Sequence, residues 1–296
     1  MPVRYFIVPA SPLEDCEIYA TGVDYFPETV QNKINAYKFT VHHWAHRIQE
    51  HAEILVPIFN EMVEYMEFFG DSTKMIAQGR NPLKNSQSKL RLQSHLQGFK
   101  RIKQIHASSP KTYQYLTMIE EKYLAFLRSM LWSLEHSSPT QFTVEKRLPQ
   151  GFKVDEVMPL FEAPKFAKIP LIQTLSSVYN YMNAYLEVFR QIHDDNSLRQ
   201  HPEEWPVRTA NVSASGIAVN LEKRFPNYSN VDVLLYFPED EQVLQFEGSI
   251  VDIRSDEKTQ TERIAINFEF PDGALQDYLQ TQIQKQEVKE CMSILF

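Results

Sequence analysis

The chain has 296 residues, of which 43% are hydrophobic and 23% charged, and it carries a formal net charge of −8. A chain of this length and composition can bury one large core or two moderate ones. The acidic balance argues against a nucleic-acid-binding protein, because such proteins usually present a basic surface that displaces counterions from phosphate. Two cysteines provide neither a disulfide framework nor a metal cluster, which agrees with a reducing compartment.

The sequence also lacks the usual signals for membrane insertion and export. No run approaches 18 apolar residues, and no basic segment followed by an apolar one opens the chain. We therefore expect no membrane span, no signal peptide and a cytoplasmic location.

The first 27 residues are predicted to form a strand followed by polar turns. The strand signal is residues 3–8, reading VRYFIV, where β-branched and aromatic residues predominate. We treat residues 1–27 as an N-terminal strand-like segment that is available to a sheet elsewhere in the chain.

Residues 28–200 are predicted to form a helical bundle or coiled-coil region. Over residues 30–69, and again over residues 171–192, apolar side chains recur in alternating steps of four and three. Such seams pack helices within one chain, between copies, or both, and we expect a homo-oligomer. His51 is interpreted as a polar position inside the first seam. Pro57 predicts a kink or a break in the same helix.

Three other patterns in this region were weighed for chemistry. His42 and His46 lie four apart, a spacing that can share one helix face, but such matches are often false and we expect no metal site. Lys100, Arg101 and Lys103 could contact phosphate, although such a cluster is more typical of a solvated surface. The motifs G-x-S-x-G, H-E-x-x-H and G-x-x-x-x-G-K-S/T are missing, so we expect no enzyme.

The C-terminal segment, residues 205–292, is predicted to be a small antiparallel β-barrel with a closing helix. Strand signals cover residues 207–220 (VRTANVSASGIAVN), 231–237, 243–254 and 264–270, and residues 274–292 have helical spacing. The fold class is therefore predicted to be α+β. From Trp205 onward the chain holds eight Lys and Arg against fifteen Asp and Glu, so the barrel is its acidic part.

One turn in this segment carries a recognisable pattern. Asn211, Ser213 and Gly216 are spaced as N-x-S-x-x-G between two strand signals. The Asn and Ser side chains can bond the nearby backbone or a ligand, while Gly permits a positive φ or a close backbone approach. The pattern alone fits either a self-stabilising turn or a ligand site.

Residues 206–290 resemble the PilZ domains, bacterial receptors for the dinucleotide second messenger cyclic di-GMP. The resemblance rests on the N-x-S-x-x-G motif, on GSIVDIR followed by ERIAINFEF, and on LQDYLQTQIQKQ as a terminal helix. It implies a β-barrel with cyclic di-GMP as ligand. It also implies that Asn211, Ser213 and Gly216 contact that ligand.

The sequence departs from the family in its arginines. The family's R-x-x-x-R motif is missing, since no two arginines lie four apart. Arg199 stands nearest the expected place, with Glu203 at the partner position, and Arg208 lies in the motif strand. A carboxylate cannot replace a guanidinium against a dianionic ligand, so cyclic di-GMP binding is expected to be weak or absent.

The family's first barrel strand is also missing immediately before the motif. Residues 3–8 are the best candidate to fill that place, since an unfilled place would leave an exposed edge. No other cofactor is expected.

Two functions fit these observations. The first is a non-enzymatic regulatory protein with a degenerate PilZ-like domain, acting in cyclic di-GMP-related signalling as a receptor or a receptor-derived module. The alternative is a ligand-independent adaptor or scaffold that binds protein partners through the barrel surface and the helices. The family resemblance favours the first, and the missing arginines and acidic barrel favour the second.

Overall fold

The structure is a computed structural model that describes residues 1–269 and 273–294. The chain forms two compact units, one made of residues 1–14, 20–30 and the chain from Asp194 onward, the other of residues 15–19 and 31–193. Helices and an antiparallel sheet segregate along the chain, so the predicted α+β class is confirmed. Across the described ranges, no helix has the length and apolar character needed to span a bilayer.

The helices that precede the motif hairpin have amphipathic sequences whose apolar stripes form a common core. Side chains such as Phe59, Met62, Tyr123 and Phe189 are fully buried there. They recur at helical spacing, so each helix turns one apolar face toward the core. The helices are α1 (Glu28–Ala45), α2 (Ala52–Ala77), α3 (Ser86–His95), α4 (Pro110–His136), α5 (Lys153–Val157) and α6 (Pro170–Ser197).

The first predicted helix is interrupted earlier than the sequence suggested. His51 has a left-handed backbone (φ 56°, ψ 28°) immediately before α2, whereas Pro57 lies inside α2. Helix α1 already ends at Ala45, and the non-helical residues 46–51 separate it from α2. A proline near a helix start removes only one intrahelical bond, so Pro57 is accommodated within α2. The helix break therefore falls at residues 46–51, before Pro57, and His51 lies at that break and not within one continuous seam.

Most heptad positions of α1 and α2 are buried within a single chain, whereas Tyr37 and Trp44 are half-buried. Ile34 is 5% exposed, and Leu55, Met62 and Phe69 are at most 1% exposed. The heptad spacing thus buries these side chains inside the protein itself.

The sheet has seven antiparallel strands in the order β2-β1-β5-β6-β7-β4-β3. They are β1 (Pro2–Pro9), β2 (Val207–Thr209), β3 (Asn211–Ser213), β4 (Gly216–Leu221), β5 (Asn230–Phe237), β6 (Gln242–Asp256) and β7 (Thr261–Glu269). Helix α7 (Gly273–Ile294) follows the last strand. Phe270, the last residue of the strand predicted at 264–270, lies outside the described residues.

The two strands at the ends of this order are neighbours in sequence. Only Ala210 separates β2 from β3; its N–H donates to the Met1 carbonyl (3.0 Å), and the Met1 nitrogen donates to the Ala210 carbonyl (2.8 Å). One extended segment therefore pairs with β1 in its first half and with β4 in its second half, so the sheet curls back on itself. Strand β1 also pairs with β5.

Alternate residues of the strands point into the curled sheet. Val3, Tyr5, Ile217, Val233 and Ile266 are all buried on this inner face. The rings of Phe246 and Phe268 stack with their centroids 4.6 Å apart. The outer face carries the intervening residues, including the motif side chains.

Candidate ligand-binding site

The N-x-S-x-x-G motif forms the tight hairpin between β3 and β4. Ser213 lies opposite Gly216 in the strand register. The Ser213 hydroxyl accepts a hydrogen bond from the Ser215 N–H (3.4 Å) and donates one to the Gly216 carbonyl (3.3 Å). The serine therefore stabilises its own turn, while remaining exposed to solvent.

Gly216 is required by a close contact between strands. A Cβ at this position would lie 2.3 Å from the Ile266 carbonyl oxygen of β7, far inside normal contact distance. Of the two reasons considered for this glycine, a positive φ and a close backbone approach, the structure shows the close approach. Gly216 thus brings β7 near the motif.

Asn211 differs from Ser213 in having no internal partner. Its side chain is exposed and makes no hydrogen bond to any residue that the structure describes. Its amide can both donate and accept. Asn211 is therefore available to a ligand without breaking an existing bond.

The outer face beside Asn211 is formed by small residues. In antiparallel pairing, residues opposite each other project their side chains on the same face. Asn211 lies opposite Ala218, and Ala218 lies opposite Ala265 of β7. This floor of two half-buried alanines leaves room above the sheet beside the motif.

Two arginines lie on the same outer face, in the next row of the sheet. Asn220 lies opposite Arg263, and Arg263 lies opposite Arg254 of β6. Arg254 forms an ion pair with Asp252 (2.7 Å), whereas Arg263 has no hydrogen bond or ion pair among the described residues. Strand spacing places the Cα atoms of Asn211 and Arg263 about 12 Å apart, a span that a dinucleotide can cover.

The register that creates this arginine pair was not predictable from the sequence. A β-bulge shifts the β6–β7 pairing between Ile250 and Asp252. Without the extra residue, Arg254 would lie opposite Glu262 instead of Arg263. The sequence showed only Arg254 at the end of one strand signal and Arg263 immediately before the next.

Arg199 and Arg208, the two arginines considered for the ligand site from the family resemblance, do not lie on this outer face. Arg208 lies opposite Val3, on the inner-face side of β2, and its guanidinium carbon is 5.8 Å from the centre of the buried Tyr5 ring. The face that holds Arg208 is thus opposite to that of Asn211 and Ser213. Arg199 is exposed in the 3₁₀ turn Leu198–Gln200, outside the motif hairpin.

A second feature of this unit is a groove of about 300 Å³ beside β2. Val207 and Tyr236 provide apolar walls, while Arg4, Lys285 and Lys289 provide positive charge. Lys289 is already paired with Glu239 (3.1 Å). The groove is therefore a second cationic surface along the outer side of the same strand segment.

Negative charge collects in a different row of the outer face. Asp232, Glu247 and Glu269 lie opposite one another across β5, β6 and β7. Like charges placed directly across strands repel one another. The outer face thus has an arginine row at one end and a carboxylate row at the other.

These elements define a small antiparallel β-domain with a motif hairpin and a following helix, attached to a separate helical unit. Residues 195–285 match the family model of the PilZ domain, so this part of the chain is a PilZ domain. Such a domain indicates a cyclic di-GMP-binding or related regulatory role, and no enzyme family is indicated. No curated protein and no solved structure matches the chain.

Proposed function

We propose that this protein is a non-enzymatic regulator in cyclic di-GMP-related signalling, whose PilZ domain is a receptor with a rearranged and weakened site. The observation that carries the proposal is the outer face on which Asn211, Ser213 and the Arg254–Arg263 pair lie together. The dinucleotide would rest on the floor formed by Ala218 and Ala265. Its phosphates would face the arginines.

The rearrangement predicts a low affinity for cyclic di-GMP. Each charge-assisted contact contributes roughly 1.5–3 kcal/mol, so losing two family arginines removes several powers of ten in affinity. Arg254 is already engaged by Asp252, which leaves Arg263 as the stronger contributor. A dissociation constant above ~1 μM is expected, corresponding to a binding free energy weaker than about −8 kcal/mol.

Calorimetric titration of the full chain with cyclic di-GMP tests the proposal. Arg263→Ala is expected to weaken binding at least about tenfold. Arg208→Ala is the matched control and leaves the affinity unchanged, because Arg208 lies against Tyr5 on the other face. Lys285→Ala distinguishes the groove beside β2 from the motif surface.

Two results would contradict this assignment. Submicromolar affinity that is lost in Arg208→Ala would show that an inner-side arginine completes the site. Binding that is sensitive to Lys285→Ala but not to Arg263→Ala would move the ligand to the groove. In either case the regulatory role stands while the residue assignment fails.

A second candidate is a ligand-independent adaptor that binds protein partners. The carboxylate row Asp232–Glu247–Glu269 favours it, since an exposed acidic row on a sheet complements a basic protein surface. Absence of cyclic di-GMP binding at millimolar ligand, together with partner capture that depends on Glu247, would select this function.

Homo-oligomerisation through the heptad helices remains a proposal. Most seam side chains are buried within one chain, so an interface between copies has to use half-buried seam positions such as Tyr37 and Trp44 or other helical residues. Phe39 on α1 is 71% exposed and is one such residue. Analytical ultracentrifugation at micromolar concentration measures the oligomeric state directly.

A further inference from the structure

The helical unit contains a cavity that the PilZ domain does not explain. It measures about 460 Å³, which lies in the range of small-molecule sites in proteins. Its walls come from α2, from α3 and from the loop that follows α3. The lining includes Tyr65, Arg91, His95, Lys100 and Arg101.

His95 is fixed in this wall by aromatic neighbours. The residue is only 7% exposed. Its ring stacks on Tyr65 with the centroids 3.6 Å apart and the planes within 6°, and Phe68 meets it edge to face at 4.6 Å. Burial, reinforced by Arg91 and Lys100, lowers the pKa of His95 to about 4, so the imidazole is neutral near pH 7.

The hydrogen bonds around His95 determine its tautomer. The Tyr123 hydroxyl donates its only hydrogen to the Tyr65 carbonyl at 3.0 Å. The same hydroxyl lies 3.1 Å from His95 Nδ1, so in that contact Nδ1 carries the hydrogen and donates. His95 Nε2 is therefore an acceptor with a free lone pair.

That lone pair is open to the cavity. Nε2 has no hydrogen-bond partner among the described residues, and it is not completely shielded from solvent. Because the ring lines the cavity, a bound molecule can donate a hydrogen bond to Nε2. A buried acceptor of this kind rejects a ligand that brings only lone pairs.

Positive charge surrounds the same cavity. The side-chain charges of Lys100 and Arg101 have no partner among the residues that the structure describes, and Arg91 lies over the Phe68 ring at 4.8 Å. The two acidic groups are Glu64, which is exposed, and Glu61. The Glu61 oxygens already accept the backbone N–H groups of Lys100 (3.2 Å) and Arg101 (3.0 Å).

We infer that this cavity binds a small organic phosphate that carries a hydroxyl or amine donor beside its phosphate group, such as a sugar phosphate or a nucleoside monophosphate. The phosphate meets Arg91, Lys100 and Arg101, and the donor meets His95 Nε2. The ligand needs both the phosphate and the donor, because the three cations select an anion and the neutral acceptor selects a hydrogen-bond donor. The inference concerns the helical unit and does not depend on the PilZ site.

The test is NMR observation of the imidazole nitrogens of the full chain, with His95→Phe used to assign the His95 signals. Ribose 5-phosphate, guanosine monophosphate and inorganic phosphate are the probes, and sulfate is the control anion without a donor at neutral pH. We expect saturable shifts of His95 Nε2 with at least one organic phosphate at a dissociation constant below ~1 mM. Which organic phosphate binds more tightly distinguishes the sugar phosphate from the nucleotide.

Substitutions then distinguish binding in the cavity from nonspecific binding to surface charge. Lys100→Ala and Arg101→Ala each remove a cavity cation while leaving intact the backbone N–H that Glu61 binds, and each is expected to weaken binding about tenfold. Lys103→Ala is the matched control, because Lys103 is exposed nearby but does not line the cavity. His95→Phe keeps the stack on Tyr65 and removes the acceptor, so it should weaken the organic phosphates while leaving sulfate unchanged.

Three results would overturn the inference. One is no His95 shift with any probe at ~10 mM, a concentration at which binding tighter than about −3 kcal/mol would be visible. The second is sulfate binding as well as ribose 5-phosphate. The third is an equal loss in Lys103→Ala and Arg101→Ala. If His95→Phe does not fold, the Arg101→Ala and Lys103→Ala comparison still decides the question.

Discussion

Arg254 of β6 lies directly opposite Arg263 of β7, on the exposed face of the sheet that carries Asn211. The pairing exists because the bulge between Ile250 and Asp252 shifts the register by one residue. Glu262, which a regular ladder would place opposite Arg254, is instead fully buried. It accepts hydrogen bonds from Thr29 (2.9 Å) and Ser255 (2.8 Å).

The arginine pair predicts a conflict between stability and binding. Arg263→Glu replaces a repulsive cross-strand pair with an attractive one, so the free energy of unfolding should rise by about 0.2–1 kcal/mol. The same change places a carboxylate on the proposed phosphate surface, so any cyclic di-GMP binding should be lost. Urea unfolding and calorimetric titration measure the two effects.

Lys258→Glu is the control for this pair, since Lys258 lies in the exposed turn between β6 and β7 and changes the net charge equally. Lys258→Glu should leave the free energy of unfolding and the affinity for cyclic di-GMP nearly unchanged. A loss of stability in Arg263→Glu would mean that the arginine is held by contacts beyond those the register implies.

The motif hairpin predicts unequal effects of two substitutions. Gly216→Val introduces a Cβ 2.3 Å from the Ile266 carbonyl, so it should destabilise the PilZ domain by at least ~1 kcal/mol. Asn211→Ala removes an exposed amide without an internal partner, and it should change stability by less than ~0.5 kcal/mol. Thermal unfolding of both variants measures the difference.

The second part of this prediction concerns the binding of cyclic di-GMP. Asn211→Ala should weaken any cyclic di-GMP binding despite its unchanged stability. A stable Gly216→Val would show that β7 can move away from the hairpin, and a destabilised Asn211→Ala would show that the amide supports the turn after all.

The local signals in the sequence were sufficient for the strands and for the motif turn. Alternating apolar residues and turn residues place β4, β5, β6 and β7 close to their predicted positions, because strand periodicity is a local property. The residue type at Gly216 predicted either a positive φ or a close backbone approach, and the structure decides for the close approach. Heptad spacing predicted helices correctly, but it did not distinguish packing within a chain from packing between chains.

Features that depend on long-range geometry could not be predicted. No local pattern marks the end of α1 at Ala45, so the sequence placed a kink or a break near Pro57 instead. The single-residue bulge decides which side chain lies opposite Arg254, and no local pattern shows it. The acceptor state of His95 depends on Tyr123, which is 28 residues away.

The burial of the heptad seam predicts that its disruption affects folding before assembly. Ile34 is 5% exposed, so Ile34→Glu buries an unpaired charge and should lower the free energy of unfolding by several kcal/mol. Phe39→Glu is the matched control on the same helix, because Phe39 is 71% exposed and should tolerate the change. Thermal unfolding combined with analytical ultracentrifugation separates the two outcomes.

An unchanged melting temperature for Ile34→Glu with loss of a dimer would contradict the single-chain core. Conversely, if Phe39→Glu dissociates an oligomer and leaves the melting temperature unchanged, the exposed face of α1 is the interface between copies.

The buried imidazole predicts a defined pH dependence. The pKa of His95 is lowered from 6.5 to about 4, so between these values the unfolded chain binds a proton that the folded chain does not. Stability is therefore complete above pH 6.5 and falls as the pH falls toward 4, by roughly 3 kcal/mol at most. Below pH 4 both states are protonated, and this contribution does not decrease further.

Comparison with His95→Phe isolates that contribution from other groups. Burial raises the pKa values of Glu120 and Asp71, which has the opposite effect on stability, but both carboxyl groups are present in the variant as well. The difference in unfolding free energy between wild type and His95→Phe should therefore change between pH 7 and pH 4. A difference that stays constant across this range would mean that His95 takes up its proton in the folded state, and the neutral acceptor required by the helical cavity would be lost with it.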